Sequence, residues 1–162
     1  MGGDLRDLNE PGGTLHRGLA GDRGALAADE VRAAIQPTYI HCPRTALVCV
    51  EQTHMGSGGR VVPLPRLQAL RDVAHARDVP VHMDGARFAN AIAALGCTPA
   101  EMTWKRGVTA LSLGATKNGC LGVEAVVFFD PAPARHFPFV RKRTGHLLSK
   151  HRYLAAQMDA WL

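Results

Sequence analysis

The sequence predicts an α/β fold with a mixed, mostly parallel sheet and flanking helices. Short apolar runs of strand length alternate with segments whose apolar residues recur at helical spacing, an order typical of a parallel sheet covered on both faces. The last two apolar runs, at 108–117 and 123–130, are too close together for a helical crossover. The final strand is therefore expected to pair antiparallel to its neighbour.

The elements follow in a simple order. Residues 1–25 are rich in Gly, Asp and Arg without an apolar period, which predicts a loop or a poorly ordered segment. Residues 26–162 are expected to form one domain. Helices are predicted at 26–35, 63–78, 87–96 and 132–143 and from 146 to the end, and strands within the segments 45–54, 79–86, 108–117 and 123–130.

The composition is that of a folded domain. The 162 residues are 46% hydrophobic and 20% charged, with a net charge of +5. No apolar run has the length needed to span a bilayer and the first residues lack the order of a signal peptide, so we expect a cytoplasmic protein without membrane contact. The cysteines form no CxxC pair, so neither a metal site nor a disulfide framework is expected, and Cys49 and Cys120 should pack as small apolar residues.

Polar side chains follow three of the predicted strands. In α/β sheets, ligands bind at the carboxyl ends of parallel strands. We therefore expect these side chains to converge on one crevice. They are Glu51, Gln52 and His54 after the first strand, Asp84 after the second, and Thr116 and Lys117 after the third.

Asp84 by itself is compatible with two roles. It ends an apolar strand and precedes Gly85, where the backbone turns sharply and a flat ligand can approach closely. It is equally suited to cap the following helix, and Arg87 is a candidate ion-pair partner. His82 lies two residues earlier on the same face of the strand, where a packed or supporting role is favoured over a catalytic one.

Lys117 stands in a different context from the other lysines. It follows the β-like segment ALSLGAT and precedes Asn118 and Gly119, a strong turn signal. A lysine buried at the end of a sheet has a depressed pKa, as a Schiff-base amine requires; the alternative is a surface lysine in a turn. With Asp84 it supplies the two groups that pyridoxal phosphate needs, but the pair leaves transamination, decarboxylation, elimination and aldol cleavage open.

Three segments carry a resemblance to a known family. VCVEQTHMGSGGRVVPLPRLQAL, VHMDGARFANAIAALG and LSLGATKNG resemble the threonine aldolase and β-eliminating lyase family of fold-type I pyridoxal-phosphate enzymes, and low-specificity L-threonine aldolases most closely. The resemblance implies that Lys117 forms the Schiff base and that Asp84 pairs with the pyridine nitrogen. Arg87 is then near the phenolic oxygen and the substrate carboxylate, His54 beside the substrate hydroxyl, and Thr116 beside the cofactor.

The resemblance also implies an activity. It predicts cleavage of L-threonine or allo-threonine to glycine and an aldehyde, by a homo-oligomer that is a dimer or a tetramer in the family. Because family members are about twice as long, we expect residues 26–162 to be the central part of the large domain, without the C-terminal small domain, and activity to be impaired.

Two alternatives remain open. One is another pyridoxal-phosphate reaction, β-elimination or amino transfer, on the same scaffold. The other is a non-catalytic fragment that binds a partner through the basic and aromatic segment RHFPFVRKRTGH at 135–146. Such a run is more often a solvated helix face than a nucleic-acid surface, and we expect no nucleic-acid partner.

Overall fold

The computed structural model describes residues 15–162. Within this range the strands are β1 (Val48–Glu51), β2 (Val81–Gly85), β3 (Ala110–Gly114) and β4 (Glu124–Phe128). The helices are α1 (Ala28–Ala34), α2 (Leu64–His75), α3 (Phe88–Leu95), α4 (Pro99–Met102), α5 (Pro131–Ala134), α6 (Phe137–Arg143) and α7 (Arg152–Trp161). Short 3₁₀ turns occupy Met55–Ser57, Trp104–Arg106 and Thr116–Asn118.

The strands form one mixed sheet in the order β1-β2-β3-β4. The first three strands are parallel, and β4 runs antiparallel to β3. The register places Glu51 beside Asp84, and Asp84 beside Ser112. The predicted α/β fold, with a mixed, mostly parallel sheet and an antiparallel last strand, is therefore confirmed.

One face of the sheet packs into a hydrophobic core with α2 and α3. Successive residues of a strand point to opposite faces, and those on the core side are apolar: Val48, Val50, Val81, Met83, Leu111 and Leu113. Leu70 of α2 is 1% exposed and Met83 is fully buried. Complete burial of such a side chain contributes roughly 1.5–3 kcal/mol, so this face is a major source of the stability of the sheet.

The opposite face of the sheet is largely exposed within the described range. Cys49, Asp84, Glu124 and Val126 on this face are exposed, and α6 reaches only one corner, where Phe137 contacts Phe128. The expected cover on both faces, and the expected packing of Cys49 as a small apolar residue, are therefore wrong for residues 15–162. The reason is that Cys49 and Glu51, like His82 and Asp84, alternate with apolar neighbours, so only one face is apolar enough to pack.

The helices differ from the prediction in the last third of the chain. The predicted helix 132–143 is divided into α5 and α6, and Pro138 lies in the first turn of α6, where a missing N–H is tolerated. The last helix begins at Arg152 rather than at 146, after Gly145 adopts a φ of +80°. The short α4 was not predicted, although Thr98 and Glu101 form a capping box of the S/T-x-x-E type.

Residues 15–25 form a loop that ends in a tight turn. Asp22 and Ala25 exchange two backbone hydrogen bonds of 2.9 and 3.0 Å, and Ala25 is buried in the core. The expectation for residues 1–14 lies outside the described residues. Across the described chain, none of the helices is both long enough and apolar enough to cross a membrane.

Candidate functional site

The carboxyl ends of β1, β2 and β3 lie at the same edge of the sheet, as expected for parallel neighbours. Gly114 ends β3 against the turn that follows β2. A Cβ atom on Gly114 would lie 2.7 Å from Cα of Ala86, which is closer than real Cβ contacts. Only glycine permits this approach, and it brings the turn after β3 next to the turn that contains Asp84.

Asp84 is exposed at the end of β2 and is held in one orientation. Its Oδ1 accepts a 2.9 Å hydrogen bond from the backbone N–H of Ala86. The N-cap of α3 is Arg87, so the helix-cap alternative for Asp84 is wrong. Among residues 15–162, its second oxygen, Oδ2, has no hydrogen-bond partner. This oxygen is therefore available to an N–H donor that does not belong to the turn.

Lys117 lies in the 3₁₀ turn Thr116–Asn118, three residues after β3 ends. The turn is closed by Asn118, whose backbone N–H donates to Ala115 and whose side chain donates to the Gly114 carbonyl at 3.1 Å. Thr116 donates its hydroxyl to the Val123 carbonyl at 3.3 Å. Lys117 and Thr116 are exposed, so the burial expected for Lys117 is wrong for the described part of the chain.

His54 lies in the loop after β1 and contacts two side chains. Its Nδ1 is 2.8 Å from Oγ of Ser57, and its Nε2 is 3.7 Å from Oε2 of Glu51. The Ser57 hydroxyl donates to the His54 carbonyl at 3.4 Å, which favours the tautomer with the proton on Nδ1 and leaves Nε2 as the acceptor. Nε2 is therefore the atom that can take up a proton.

Buried hydrogen bonds hold the loop of His54 in place. Gln52 is fully buried, donates from Nε2 to the Val62 carbonyl and accepts from the Val62 N–H, both at 2.9 Å. The sequence predicts Gln52 among the polar residues of the crevice, but its amide is buried in the core and bonds to Val62. The backbone of His54 is fixed by a 2.9 Å hydrogen bond to the Arg60 carbonyl.

Arg87 pairs with Glu51 rather than with Asp84. Its Nη1 is 3.9 Å from Oε1 of Glu51, and its side chain is 22% exposed. The sequence proposed Asp84 as the partner because the two residues are close along the chain. In the sheet, however, Glu51 is the register neighbour of Asp84, which a single strand cannot reveal.

The chain is similar to known proteins in both sequence and fold. The beta-eliminating lyase family model matches residues 4–161. The chain belongs to the beta-eliminating lyase family. The family recognised from the motifs is therefore confirmed.

Among curated proteins, the chain is 42% identical over 147 residues to a low specificity L-threonine aldolase of Pseudomonas sp. (strain NCIMB 10558), covering 86% of this chain and 42% of the relative. It is 39% identical over 80 residues to that of Escherichia coli (strain K12), covering 49% of this chain and 23% of the relative. The fold matches a Leishmania major threonine aldolase with a TM-score of 0.77 and 21% identity, over 89% of this chain and 42% of that one. The chain thus spans less than half the length of these relatives.

Two further polar residues, His82 and Ser112, lie on the open face, and of these the sequence analysis singled out only His82. His82 is 2.8 Å from Ser112 through its Nε2 and the serine Oγ, and Ser112 lies beside Asp84 in the register. Burial lowers the pKa of His82, and the Asp84 carboxylate opposes this effect. The alternation of polar and apolar residues in β2 and β3 is the signal that would have placed Ser112 on this face.

The structure thus gathers the predicted site residues into two groups at one edge. Glu51, His54 and Arg87 are joined by their side chains, whereas Lys117 and Thr116 lie on the turn after β3. Asp84 lies between these groups on β2. Among residues 15–162 no cluster of three or more His, Cys, Asp or Glu side chains has the arrangement of a metal site.

Proposed function

We propose that this chain is the cofactor-holding part of a pyridoxal-phosphate enzyme that cleaves a β-hydroxy amino acid, L-threonine or allo-threonine, to glycine and an aldehyde. The observation that carries the proposal is the packing of Gly114 against Ala86, which joins the turn of Asp84 to the turn of Lys117. The relatives named low specificity L-threonine aldolase support the choice of reaction.

The side chains fit the chemical groups of pyridoxal phosphate. Oδ2 of Asp84, which has no hydrogen-bond partner within residues 15–162, suits a protonated pyridine nitrogen. The exposed amine of Lys117 suits covalent attachment to the cofactor aldehyde. Arg87 would face the phenolic oxygen and the substrate carboxylate, and Thr116 would lie beside the cofactor. When bound, the cofactor supplies a sink for the electrons that remain on Cα as the Cα–Cβ bond breaks.

Each residue then has one task. Asp84 would keep a proton on the pyridine nitrogen of the bound cofactor, because a carboxylate next to an N–H⁺ stabilises the charged form. Arg87 binds anionic oxygen through its planar guanidinium. His54 accepts the proton of the substrate hydroxyl at Nε2, with Nδ1 fixed by Ser57.

We propose that a cavity next to His54 receives the side chain of the substrate. A cavity of about 240 Å³ opens between residues 19–26 and the edge of β1, and Glu51 and His54 line its polar side. Leu19, Leu26 and Val62 line the apolar side. A β-hydroxy amino acid matches this cavity, which has one polar and one apolar side, because it carries a hydroxyl and an alkyl group on the same carbon.

The proposal extends to assembly and location. We propose that the whole protein works as a homo-oligomer, a dimer or a tetramer, in the cytoplasm. The sheet supports this association. Its edge strands β1 and β4 have no further strand beside them among the described residues, and open edges and exposed apolar surface favour pairing between subunits. Under this proposal the protein binds a small amino acid as substrate and does not bind nucleic acid.

Chemical trapping tests the cofactor assignment. The 162-residue chain is incubated with pyridoxal phosphate and reduced with borohydride, and the modified peptide is identified by mass spectrometry. We expect the adduct on Lys117 and its loss in Lys117→Ala, whereas Lys105→Ala, which removes a lysine beside Trp104 outside the site, should retain it. An adduct on another lysine, or none, would contradict the proposal.

Product analysis tests the reaction. With L-threonine or allo-threonine we expect acetaldehyde and glycine, and His54→Ala should keep the Lys117 adduct while lowering aldehyde release by roughly 10²- to 10⁴-fold. The family also includes β-eliminating enzymes, as its description states, so ammonia and a keto acid in place of the aldehyde would assign the second reaction instead.

A further inference from the structure

Glu51 holds a position that neither the motifs nor the proposed roles explain. Its Oε1 accepts a 3.2 Å hydrogen bond from the backbone N–H of Met55 and lies 3.9 Å from Nη1 of Arg87. Its Oε2 lies 3.7 Å from Nε2 of His54. One carboxylate thus contacts the backbone and two side chains that come from different segments of the chain.

The sheet fixes where this carboxylate lies. Glu51 is the last residue of β1 and lies on the open face, beside Asp84 in the register. The next residue, Gln52, is tied to β2 through its backbone N–H and the Asp84 carbonyl at 2.8 Å. The backbone of Glu51 cannot shift without breaking the pairing of β1 with β2. The side chain of Glu51 therefore starts from a fixed position in the sheet.

We infer that Glu51 is a positioning residue, which holds the His54 imidazole and the Arg87 guanidinium toward the same crevice. The inference rests on the proposed function, because that proposal gives His54 and Arg87 their tasks. A proton taken up at Nε2 of His54 lies next to the Glu51 carboxylate and forms an ion pair with it. By binding Arg87, Glu51 also keeps the guanidinium off Asp84, whose Oδ2 remains available.

Two substitutions separate the charge of Glu51 from its shape. Glu51→Gln keeps the size of the side chain and an oxygen for the Met55 N–H, but it removes the charge that pairs with Arg87 and, once Nε2 is protonated, with His54. Glu51→Asp keeps the charge on a shorter side chain and should restore part of what Glu51→Gln loses. The matched control is Glu124→Gln, which removes an exposed carboxylate from β4 on the same face of the sheet.

The first measurement requires no cofactor. In ¹H–¹⁵N spectra of the histidine rings, the signals of His54 are those missing from His54→Gln. We expect Glu51→Gln to shift these signals, Glu51→Asp to shift them less, and Glu124→Gln to leave them unchanged. Unchanged His54 signals in a folded Glu51→Gln chain would overturn the inference, whether or not the chain binds pyridoxal phosphate.

The second measurement uses the chain loaded with pyridoxal phosphate. Glu51→Gln should lower kcat/KM for aldehyde release on the order of tenfold, with partial recovery in Glu51→Asp. In a His54→Gln background, the same change should have less than half of that effect on the logarithmic scale, because contacting residues are not additive. If the effects of Glu51→Gln and His54→Gln on kcat/KM are fully additive, the inference is overturned. Failure to trap Lys117 would instead refute the proposed function, and the histidine spectra alone would then test the role of Glu51.

Discussion

Gly24 lies directly against the imidazole of His54, so closely that a Cβ atom at position 24 would overlap the ring. The turn that carries Gly24 is anchored by Asp22, whose carboxylate accepts a 3.0 Å hydrogen bond from Arg60. Arg60 belongs to the same loop as His54, and the backbone carbonyl of Arg60 accepts a hydrogen bond from the backbone N–H of His54. Residues 21–25 therefore form a wall that fixes one side of the ring.

Gly24→Ala tests this wall. Gly24 has a φ of +80°, and Gly58 in the His54 loop has a φ of +76° with no atom within 4 Å of its Cβ direction, so Gly58→Ala is a matched control for backbone strain. Both changes should cost roughly 1–2 kcal/mol of unfolding free energy through the left-handed backbone. Gly24→Ala should cost about 1–3 kcal/mol more, because the added methyl group displaces the imidazole.

Urea denaturation of the two variants measures this difference. Gly24→Ala should also shift the His54 ring signals in the absence of cofactor, whereas Gly58→Ala should not. Equal midpoints for the two variants, together with unchanged His54 signals, would show that the wall does not fix the ring.

Gln157 of α7 connects the end of the chain to the lysine turn. Its Oε1 accepts a 2.7 Å hydrogen bond from the backbone N–H of Leu121, and its carbonyl accepts a weaker one from the Cys120 thiol at 3.7 Å. The Leu121 side chain is 92% exposed, so it adds little packing to hold this segment. The amide of Gln157 is therefore expected to limit the motion of the segment that follows Lys117.

Amide hydrogen exchange measures this connection. Gln157→Ala should speed exchange of the Leu121 amide roughly 5- to 10-fold, the equivalent of one ordinary hydrogen bond. Gln157→Glu keeps an acceptor oxygen at the same place and should retain most of the protection. If the two variants exchange equally fast, the hydrogen bond is not what orders the segment.

His82 gives the stability of the chain a defined pH dependence. Burial lowers the pKa of His82 below its ordinary value of 6.5, and Asp84 opposes this effect. As the pH falls through about 6.5, the unfolded chain binds a proton at His82 while the folded chain does not. The free energy of unfolding should therefore fall below that pH, down to the lower pKa of the folded state, and should be unaffected by His82 above it.

Denaturation midpoints at about pH 7.5 and about pH 5.5 in wild type and His82→Gln measure this contribution. Glutamine can still bond to Ser112 but does not titrate, so His82→Gln should lose less stability between the two pH values. His75→Gln, which changes an exposed histidine of α2, should behave as wild type. A wild-type slope in His82→Gln would contradict the assignment.

Local patterns were sufficient for the sheet but not for every helix. The separation of the last two apolar runs predicted that β4 is antiparallel, because chain length alone excludes a crossover. The helix predicted at 132–143 is divided because of Pro138, and the spacing of apolar residues gives no sign of this division. The short α4 depends on the Thr98 cap rather than on apolar periodicity, so a search for periodicity alone misses it.

The sequence by itself determined the order of helices and strands along the chain, the family and the residue types at the strand ends. These depend on local periodicity and on contiguous motifs. Only the tertiary structure decided that Arg87 pairs with Glu51 and that Gly24 lies on His54. Each of these contacts joins segments that are distant along the chain. The pairing register of β1 with β2 and the folding of residues 21–25 over the loop create them, and no single segment encodes either arrangement.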